Sequence, residues 1–130
     1  RSRQAPLRIR RALEKNRVVT IIVDQNDNKS DLFVNFFGKA ASMSKGLGSF
    51  HYLKQSPVLF TTCTYQGDCC LLEFQRLECP HSSDKERDLQ QTSQAFTTAM
   101  EASICRHPEQ YFWMHRRWRK RPACDPQPVY

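Results

Sequence analysis

The sequence predicts an α/β fold, because segments with helical periodicity alternate with short strand-like apolar runs. The expected order is helix, strand, loop, strand, helix, hairpin and helix, without internal repeats. That order suits an α/β or α+β layer rather than a helical bundle or a β-sandwich. With 130 residues, of which 39% are hydrophobic and 25% charged, the chain has the size and composition of one globular domain.

The first half of the chain predicts one helix and two strands. Residues 6–16 place apolar and basic side chains at helical spacing after Pro6, which predicts a basic surface helix. Residues 18–23 form a continuous β-branched run, too short for a helix of useful length, so we expect a buried strand there. After a polar loop, residues 32–37 form a second apolar run that Gly38 closes.

The second half predicts a helix, a hairpin and a longer helix. A helix over residues 42–55 would contain two glycines, which imply close packing against a neighbour. Residues 57–64 and 69–77 are strand-like and flank a Gly-Asp turn, which predicts a β-hairpin. Apolar residues then recur every three or four positions after a capping-box sequence, which predicts a helix over residues 85–106.

The charge of the chain points to an anionic partner. The net charge is +7 and the pI is about 9.3, which attracts nucleic acid, anionic phospholipid or a phosphorylated glycolipid without choosing among them. No run of about 18 to 20 apolar residues spans a bilayer, and the N-terminal arginines precede no signal-peptide core.

The six cysteines are expected to be reduced thiols and to bind no metal. Three of them fall in or beside apolar strand-like runs, where cysteine behaves as a small hydrophobe. No Cys-x2-Cys pair offers zinc a clamp. The six are Cys63, Cys69, Cys70, Cys79, Cys105 and Cys124.

Three segments, in this order, resemble the lauroyl and myristoyl acyltransferases of bacterial lipid A biosynthesis. Residues 23–26 are similar to that family's strand ending in an Asp-His/Gln-Asp triplet, and residues 33–41 to its Phe-Val-Pro-Phe-Phe-Gly segment. Residues 107–122 follow its Pro-Glu-Gln-Tyr-x-Trp-x-His-Arg-Arg signature almost residue for residue. Asn26 stands where Asp is usual in the family, and Asn35 where Pro is common.

The resemblance implies a partial glycerolipid-acyltransferase-like fold, a mixed sheet flanked by helices. Residues 1–130 would be the C-terminal portion of the acyltransferase domain, ending in a basic tail at residues 107–130. The implied reaction transfers an acyl group from acyl carrier protein to a hydroxyl of a phosphorylated, Kdo-bearing lipid A precursor. It would take place at the cytoplasmic face of the bacterial inner membrane and need no cofactor.

That reaction requires a His-x4-Asp/Glu pair, in which the histidine takes the hydroxyl proton and the carboxylate orients the imidazole. The pair belongs upstream of these residues in the family. His81 and Glu86 match the spacing, but about 0.4 such pairs are expected by chance. They lie in a polar loop and a capping box, so we do not assign them to catalysis.

Three polar residues follow the first predicted strand, at the edge where open α/β sheets place ligand sites. With the resemblance, Asp24 is expected to support the active site by fixing a basic partner or the catalytic histidine, and Gln25 and Asn26 are expected to bind substrate. Without it, all three are ordinary loop residues that bond their own backbone.

The aromatic residues of the second strand are candidates for an acyl-chain groove, which needs apolar walls. Phe33, Phe36 and Phe37 would form those walls, although packing in the core is the better explanation of the three residues.

The tail interleaves tryptophans with basic residues, a mixture that suits a lipid headgroup interface. Trp113 and Trp118 would rest at the water boundary, while Arg116, Arg117 and Arg119 bind substrate phosphates. The same mixture could stack bases and bind a nucleic-acid backbone, or simply be a solvated basic tail. His115 is expected to anchor structure or contact phosphate.

Three functions therefore remain open: the C-terminal portion of an acyltransferase, a truncated remnant without catalysis, and a small basic nucleic-acid-binding module. We expect no nucleic-acid partner, because such a module has no evident need for residues 33–41 or for the Pro108-Glu109-Gln110 sequence.

Overall fold

The computed structural model describes residues 4–125 and 129, and it confirms the α/β class. The four strands form two separate two-stranded antiparallel sheets, and three helices flank them. In chain order the elements are α1 (Ala5–Glu14), β1 (Phe33–Phe36), β2 (Lys39–Ser42), α2 (Gly46–Lys54), β3 (Val58–Gln66), β4 (Cys69–Leu77) and α3 (Lys85–Arg106), with a short 3-10 helix at Pro108–Gln110.

The elements with the strongest local signals form as predicted. Helix α3 has the predicted bounds, and the β3–β4 hairpin turns at Gly67, whose φ is +61°. The cap of α3 is one residue later than the capping-box spacing suggests. Asp84 is the N-cap residue, and its Oδ1 accepts a hydrogen bond of 3.1 Å from the Arg87 amide.

The segment after β1 differs from the prediction, because a second hairpin is present. Phe37 and Gly38 have φ of +49° and +78° and form a two-residue turn between β1 and β2. Strand β2 was not predicted, since its sequence Lys-Ala-Ala-Ser carries no strand signal. Helix α2 consequently begins at Gly46, not at residue 42.

The prediction of a buried strand over residues 18–23 is wrong. These residues belong to none of the strands in the part of the chain that the structure describes. Val18 is 95% exposed and Ile22 is 80% exposed, whereas Val23 is buried beside Val34. A β-branched run therefore stays outside the sheets here, because no neighbouring strand pairs with it.

Helix α3 packs at the centre of the molecule. Its residues Ala99, Met100 and Ile104 join the main core, which also contains Phe36, Ala41, Val58, Phe60 and Leu77. A second cluster of Val23, Val34 and Met43 lies beneath the first hairpin.

Side chains of α3 also close the free edge of β1. Gln94 pairs with both backbone groups of Asn35, accepting from its N–H at 2.8 Å and donating to its carbonyl at 3.0 Å. One turn earlier, Gln90 donates to the Phe33 carbonyl at 2.7 Å, and Glu101 accepts from the amide of the β1–β2 turn. The helix thus replaces a neighbouring strand, since it satisfies backbone groups that would otherwise be unpaired.

The close packing expected of the α2 glycines is confirmed at Gly48. A Cβ atom on this residue would lie 2.9 Å from the Leu89 Cα and 3.1 Å from the Leu89 carbonyl oxygen, both on α3. At Gly46, the nearest atom to an added Cβ would be the Ser44 Oγ at an ordinary 3.5 Å. Only Gly48 is therefore required for the approach of the two helices.

We expect Gly48→Ala to lower the free energy of unfolding by about 1 to 3 kcal/mol, because the backbone of α3 has to move away. Gly46→Ala is the matched control and should change it by less than about 1 kcal/mol. Urea denaturation followed by circular dichroism measures both variants. Equal effects at the two positions would contradict the packing argument.

Candidate functional site

The C-terminal tail, residues 107–125, folds back onto the loop at residues 24–30. The Asn26 amide donates to the His115 Nε2 at 2.8 Å, and the Asn26 Oδ1 accepts from the Ser42 Oγ at 2.8 Å and from the Lys120 amide at 3.1 Å. The Lys120 Nζ donates to the Ser30 carbonyl. Asn26 therefore joins the loop after Asp24 to the basic tail.

Arg117 is buried in this arrangement, with 1% of its surface exposed. Its guanidinium donates to the Ser42 carbonyl and lies 5.6 Å from the centre of the Phe36 ring. The adjacent Trp118 Nε1 donates to the Phe36 carbonyl at 3.1 Å. Because a ligand cannot reach the Arg117 side chain, the structure gives this residue a packing role in place of the expected contact with substrate.

Arg116 and Arg119 are exposed, and a turn brings them onto one surface. The Arg119 amide donates to the Arg116 carbonyl at 3.2 Å. Exposed apolar side chains precede them along the tail, namely Phe112, Trp113 and Met114. Contact with an anionic ligand stays a prediction for the two exposed arginines.

The three phenylalanines proposed as groove walls do not share one groove. Phe36 is fully buried in the core and lies 5.2 Å from Trp118 between ring centres. Phe37 occupies the turn and is exposed, and the Lys120 Nζ lies 5.8 Å from the centre of the half-buried Phe33 ring. The Phe36 and Phe37 rings are in contact, with their centres 4.7 Å apart, but Phe36 belongs to the core and Phe37 to the exposed turn.

An apolar groove lies elsewhere, between residues 17–24 and strand β3. Its volume is about 1020 Å³, and Met100 and Ile104 of α3 contribute to its lining. Asp24 also lines it, whereas none of the three phenylalanines does.

Three groove-lining residues have buried polar atoms without a hydrogen-bond partner among the described residues. These atoms are the Asp24 Oδ1, the His51 Nε2 and the Thr64 Oγ1. The His51 Nδ1 lies 2.9 Å from the Ser56 carbonyl, which can only accept, so Nδ1 is the donor in this hydrogen bond. The groove thus presents polar atoms that require hydrogen-bond partners, since unpaired buried polar atoms are costly.

The groove also contains an open strand edge. The Gln110 side chain accepts from the Tyr65 N–H at 2.7 Å and donates to the Tyr65 carbonyl at 3.0 Å, so the backbone of Tyr65 faces away from β4. In an antiparallel pair the same orientation recurs at every second residue, here Thr61 and Cys63. From Tyr65 back toward Val58, no strand in the described part of the chain pairs with this edge.

His81 and Glu86 do not form a catalytic pair. The His81 ring stacks on Tyr52 at 5.1 Å, and its Nε2 lies 3.2 Å from the Tyr52 carbonyl. Glu86 instead lies 3.9 Å from the Lys45 Nζ. Each residue is thus engaged in a separate surface contact.

Neither a metal centre nor a membrane span is found in residues 4–125 and 129. No group of three or more His, Cys, Asp or Glu side chains is close enough to hold a metal ion. No helix combines the length and the apolarity needed to cross a bilayer.

The sequence of the chain matches one protein family. The sequence model of the bacterial lipid A biosynthesis acyltransferase family matches residues 4–120, from helix α1 into the tail. The chain belongs to this family. No curated protein matches the chain in a sequence search.

Sequence reasoning missed several residues that organise this region. Ser42 bonds Asn26, Asp27 and Arg117, yet nothing in its local sequence distinguishes it. Gln110 had a signal, since it lies in the Pro-Glu-Gln-Tyr part of the family signature. Its bidentate pairing with a distant strand depends on the fold.

We expect His115→Ala to lower the free energy of unfolding by about 1 to 2 kcal/mol, because the Asn26 amide loses its acceptor. His115→Gln should recover part of that loss, since a glutamine Oε1 can accept the same hydrogen bond. Thermal denaturation at neutral pH compares both variants with the parent chain. If alanine and glutamine behaved alike, the hydrogen bond would not be what attaches the tail.

Proposed function

We propose that this chain is the C-terminal portion, residues 1–130, of an enzyme that acylates a hydroxyl of a Kdo-bearing lipid A precursor. Acyl carrier protein is the proposed donor, and the cytoplasmic face of the inner membrane is the proposed location. Membership of the family supports a role in lipid A biosynthesis and acyl transfer as the type of reaction. The donor, the acceptor and the location rest on the sequence resemblance.

The unpaired Asp24 Oδ1 at the groove is the observation that supports this proposal most directly. A carboxylate oxygen accepts an imidazole N–H and so holds the ring in the tautomer that acts as a base. The only His-x4-acid spacing in the sequence is His81 and Glu86, which are engaged elsewhere. In our proposal, a segment outside these 130 residues brings the catalytic histidine to Asp24.

The groove supports the same proposal through its backbone edges. Residues 18–23 line one side and the open edge of β3 lines another, so an added strand could find hydrogen-bond partners there. An acyl chain would fill apolar volume but would leave the edge and the buried polar atoms unpaired. We therefore assign the groove to the protein segment that carries the catalytic pair, not to the acyl chain.

The tail supplies a surface for the anionic glycolipid. Arg116 and Arg119 are exposed beside Phe112, Trp113 and Met114. Apolar and aromatic side chains enter the boundary between headgroups and acyl chains, and each arginine near an anionic surface contributes on the order of 1 kcal/mol. This surface therefore fits the phosphates of the lipid A precursor and of the membrane around it.

We expect the 130-residue chain alone to transfer no acyl group from lauroyl or myristoyl acyl carrier protein to a Kdo-bearing lipid A precursor. The reason is that no described histidine is hydrogen-bonded to a carboxylate: the His107 Nδ1 lies 3.8 Å from the Glu109 Oε1, which is too far for a hydrogen bond. Mass spectrometry of the lipid product is the measurement. Turnover that persisted in His81→Ala would show that the base lies within these residues and that the proposal is wrong.

In the longer enzyme, we expect Asp24→Asn to lower kcat by about 10² to 10⁴-fold, because the amide cannot hold the base as a carboxylate does. Asp31→Asn is the matched control, since Asp31 is exposed and pairs with Lys45 at 2.8 Å on the surface. A kcat that falls equally in both variants, or in neither, would remove Asp24 from the proposed site.

We expect the chain to bind vesicles that contain anionic phospholipid and to lose at least about tenfold in affinity in the double variant Arg116→Gln, Arg119→Gln. Arg8→Gln with Arg11→Gln on helix α1 removes the same charge elsewhere and should have a smaller effect. Co-sedimentation at physiological salt measures both. Binding to oligonucleotides but not to vesicles would favour the nucleic-acid-binding alternative.

A further inference from the structure

The β3–β4 hairpin brings two thiols into contact on its exposed face. Cys63 lies opposite Leu72, and Cys70 lies opposite Tyr65, so the two cysteines are diagonal neighbours with side chains on the same face. Their Sγ atoms are 2.7 Å apart. Both residues are exposed, and small reagents in solution can therefore reach them.

A disulfide has an S–S distance of about 2.05 Å, so closure would shorten the separation of the two sulfurs only slightly, although the backbones of the two strands would also have to approach. One thiol donates its hydrogen to the other. That hydrogen bond and the removal of water raise the pKa of Cys63 above the usual value of a thiol. The two sulfurs thus interact as a pair.

The remaining cysteines are not arranged in this way. Cys69 is exposed beside Cys70 in the sequence, but it points to the opposite face of β4. None of the six cysteines is in a disulfide, and the Cys79 thiol has a hydrogen bond with Thr92. Among the described residues, the hydrogen bond between Cys63 and Cys70 is the only one that joins two cysteines.

We propose that Cys63 and Cys70 form a dithiol site, which low-molecular-weight disulfides oxidise to an intramolecular disulfide because the two sulfurs are already in contact. The contact between the two sulfurs rests only on the hairpin, but Cys63 also lines the groove assigned above to the segment that carries the catalytic pair. The proposal therefore concerns the 130-residue chain, in which both thiols are exposed. It changes the expectation that the six cysteines are unremarkable reduced thiols.

The reaction proceeds by thiol–disulfide exchange with oxidised glutathione as the oxidant. One cysteine thiolate attacks a sulfur of glutathione disulfide, which forms a mixed disulfide and releases one glutathione thiolate. The second cysteine, as its thiolate, then attacks the protein sulfur of the mixed disulfide and releases the second glutathione. The pair loses two electrons and two protons in total, and one glutathione disulfide becomes two glutathione thiols.

The diagonal position also predicts that the bond is reversible. Diagonal neighbours have Cα atoms about 7 to 8 Å apart, whereas most disulfides join Cα atoms about 4.4 to 6.8 Å apart. Closure therefore distorts the hairpin, and strained, exposed disulfides are reduced more readily than structural ones. We expect a labile modification of the hairpin and not a permanent crosslink.

The test treats the folded 130-residue chain with oxidised glutathione at pH 8.5, then alkylates the remaining thiols under denaturing conditions and maps them by mass spectrometry. The variants are Cys63→Ser and Cys70→Ser, with Cys69→Ser as the matched control. We expect the parent and Cys69→Ser to lose the thiols of residues 63 and 70 together, in one crosslinked peptide. Dithiothreitol should restore both thiols.

In Cys63→Ser and Cys70→Ser, we expect the remaining partner to retain glutathione as a mixed disulfide. The parent should form its internal disulfide at least about tenfold faster than either variant forms any internal disulfide, because its second thiol is already in contact. Mixed disulfides that persist at both positions of the parent would overturn the proposal. A crosslink that forms equally well through Cys69 would do the same.

Discussion

Backbone hydrogen bonding at the strand edges is the constraint on which the rest of this structure depends. Two small hairpins present four edges, and the backbone groups of each edge need hydrogen-bond partners in the protein or in water. Helix α3 covers the free edge of β1 with Gln90 and Gln94. Among the residues that the structure describes, the edge of β3 is covered only at its end, by Gln110. The edge of β1, which α3 covers, holds the first hairpin against the core. The edge of β3, which is largely uncovered, forms one side of the groove beside Asp24.

The tail depends on the first hairpin in turn. The buried guanidinium of Arg117 would be costly without its contact to the Ser42 carbonyl and the Phe36 ring. Those contacts hold the tail in place, so that Arg116 and Arg119 point outward from a fixed base. A mobile basic segment would lose conformational entropy on binding a phosphate, whereas this one is already ordered.

The sequence allowed the prediction of those elements whose signals are local. Helix α3 has a cap and regular apolar spacing, and the β3–β4 hairpin has alternating strands around Gly67. The prediction of a strand over residues 18–23 failed because a strand requires a neighbouring strand to pair with, and the sequence pattern does not reveal whether one is present. The burial of Arg117 could not be predicted for a similar reason. Its neighbours Arg116 and Arg119 have the same chemistry, and only the turns of the tail decide which of the three arginines is buried.

The pairing of Gln94 with Asn35 couples two positions that are 59 residues apart in the chain. A relative with proline at the position of Asn35 has no backbone N–H there, and the side-chain Oε1 of Gln94 would then lack its donor. Selection should therefore treat the two sites as one unit, exchanging the glutamine when the asparagine becomes proline. Among homologous acyltransferases, the residue at the position of Asn35 should therefore covary with the residue at the position of Gln94.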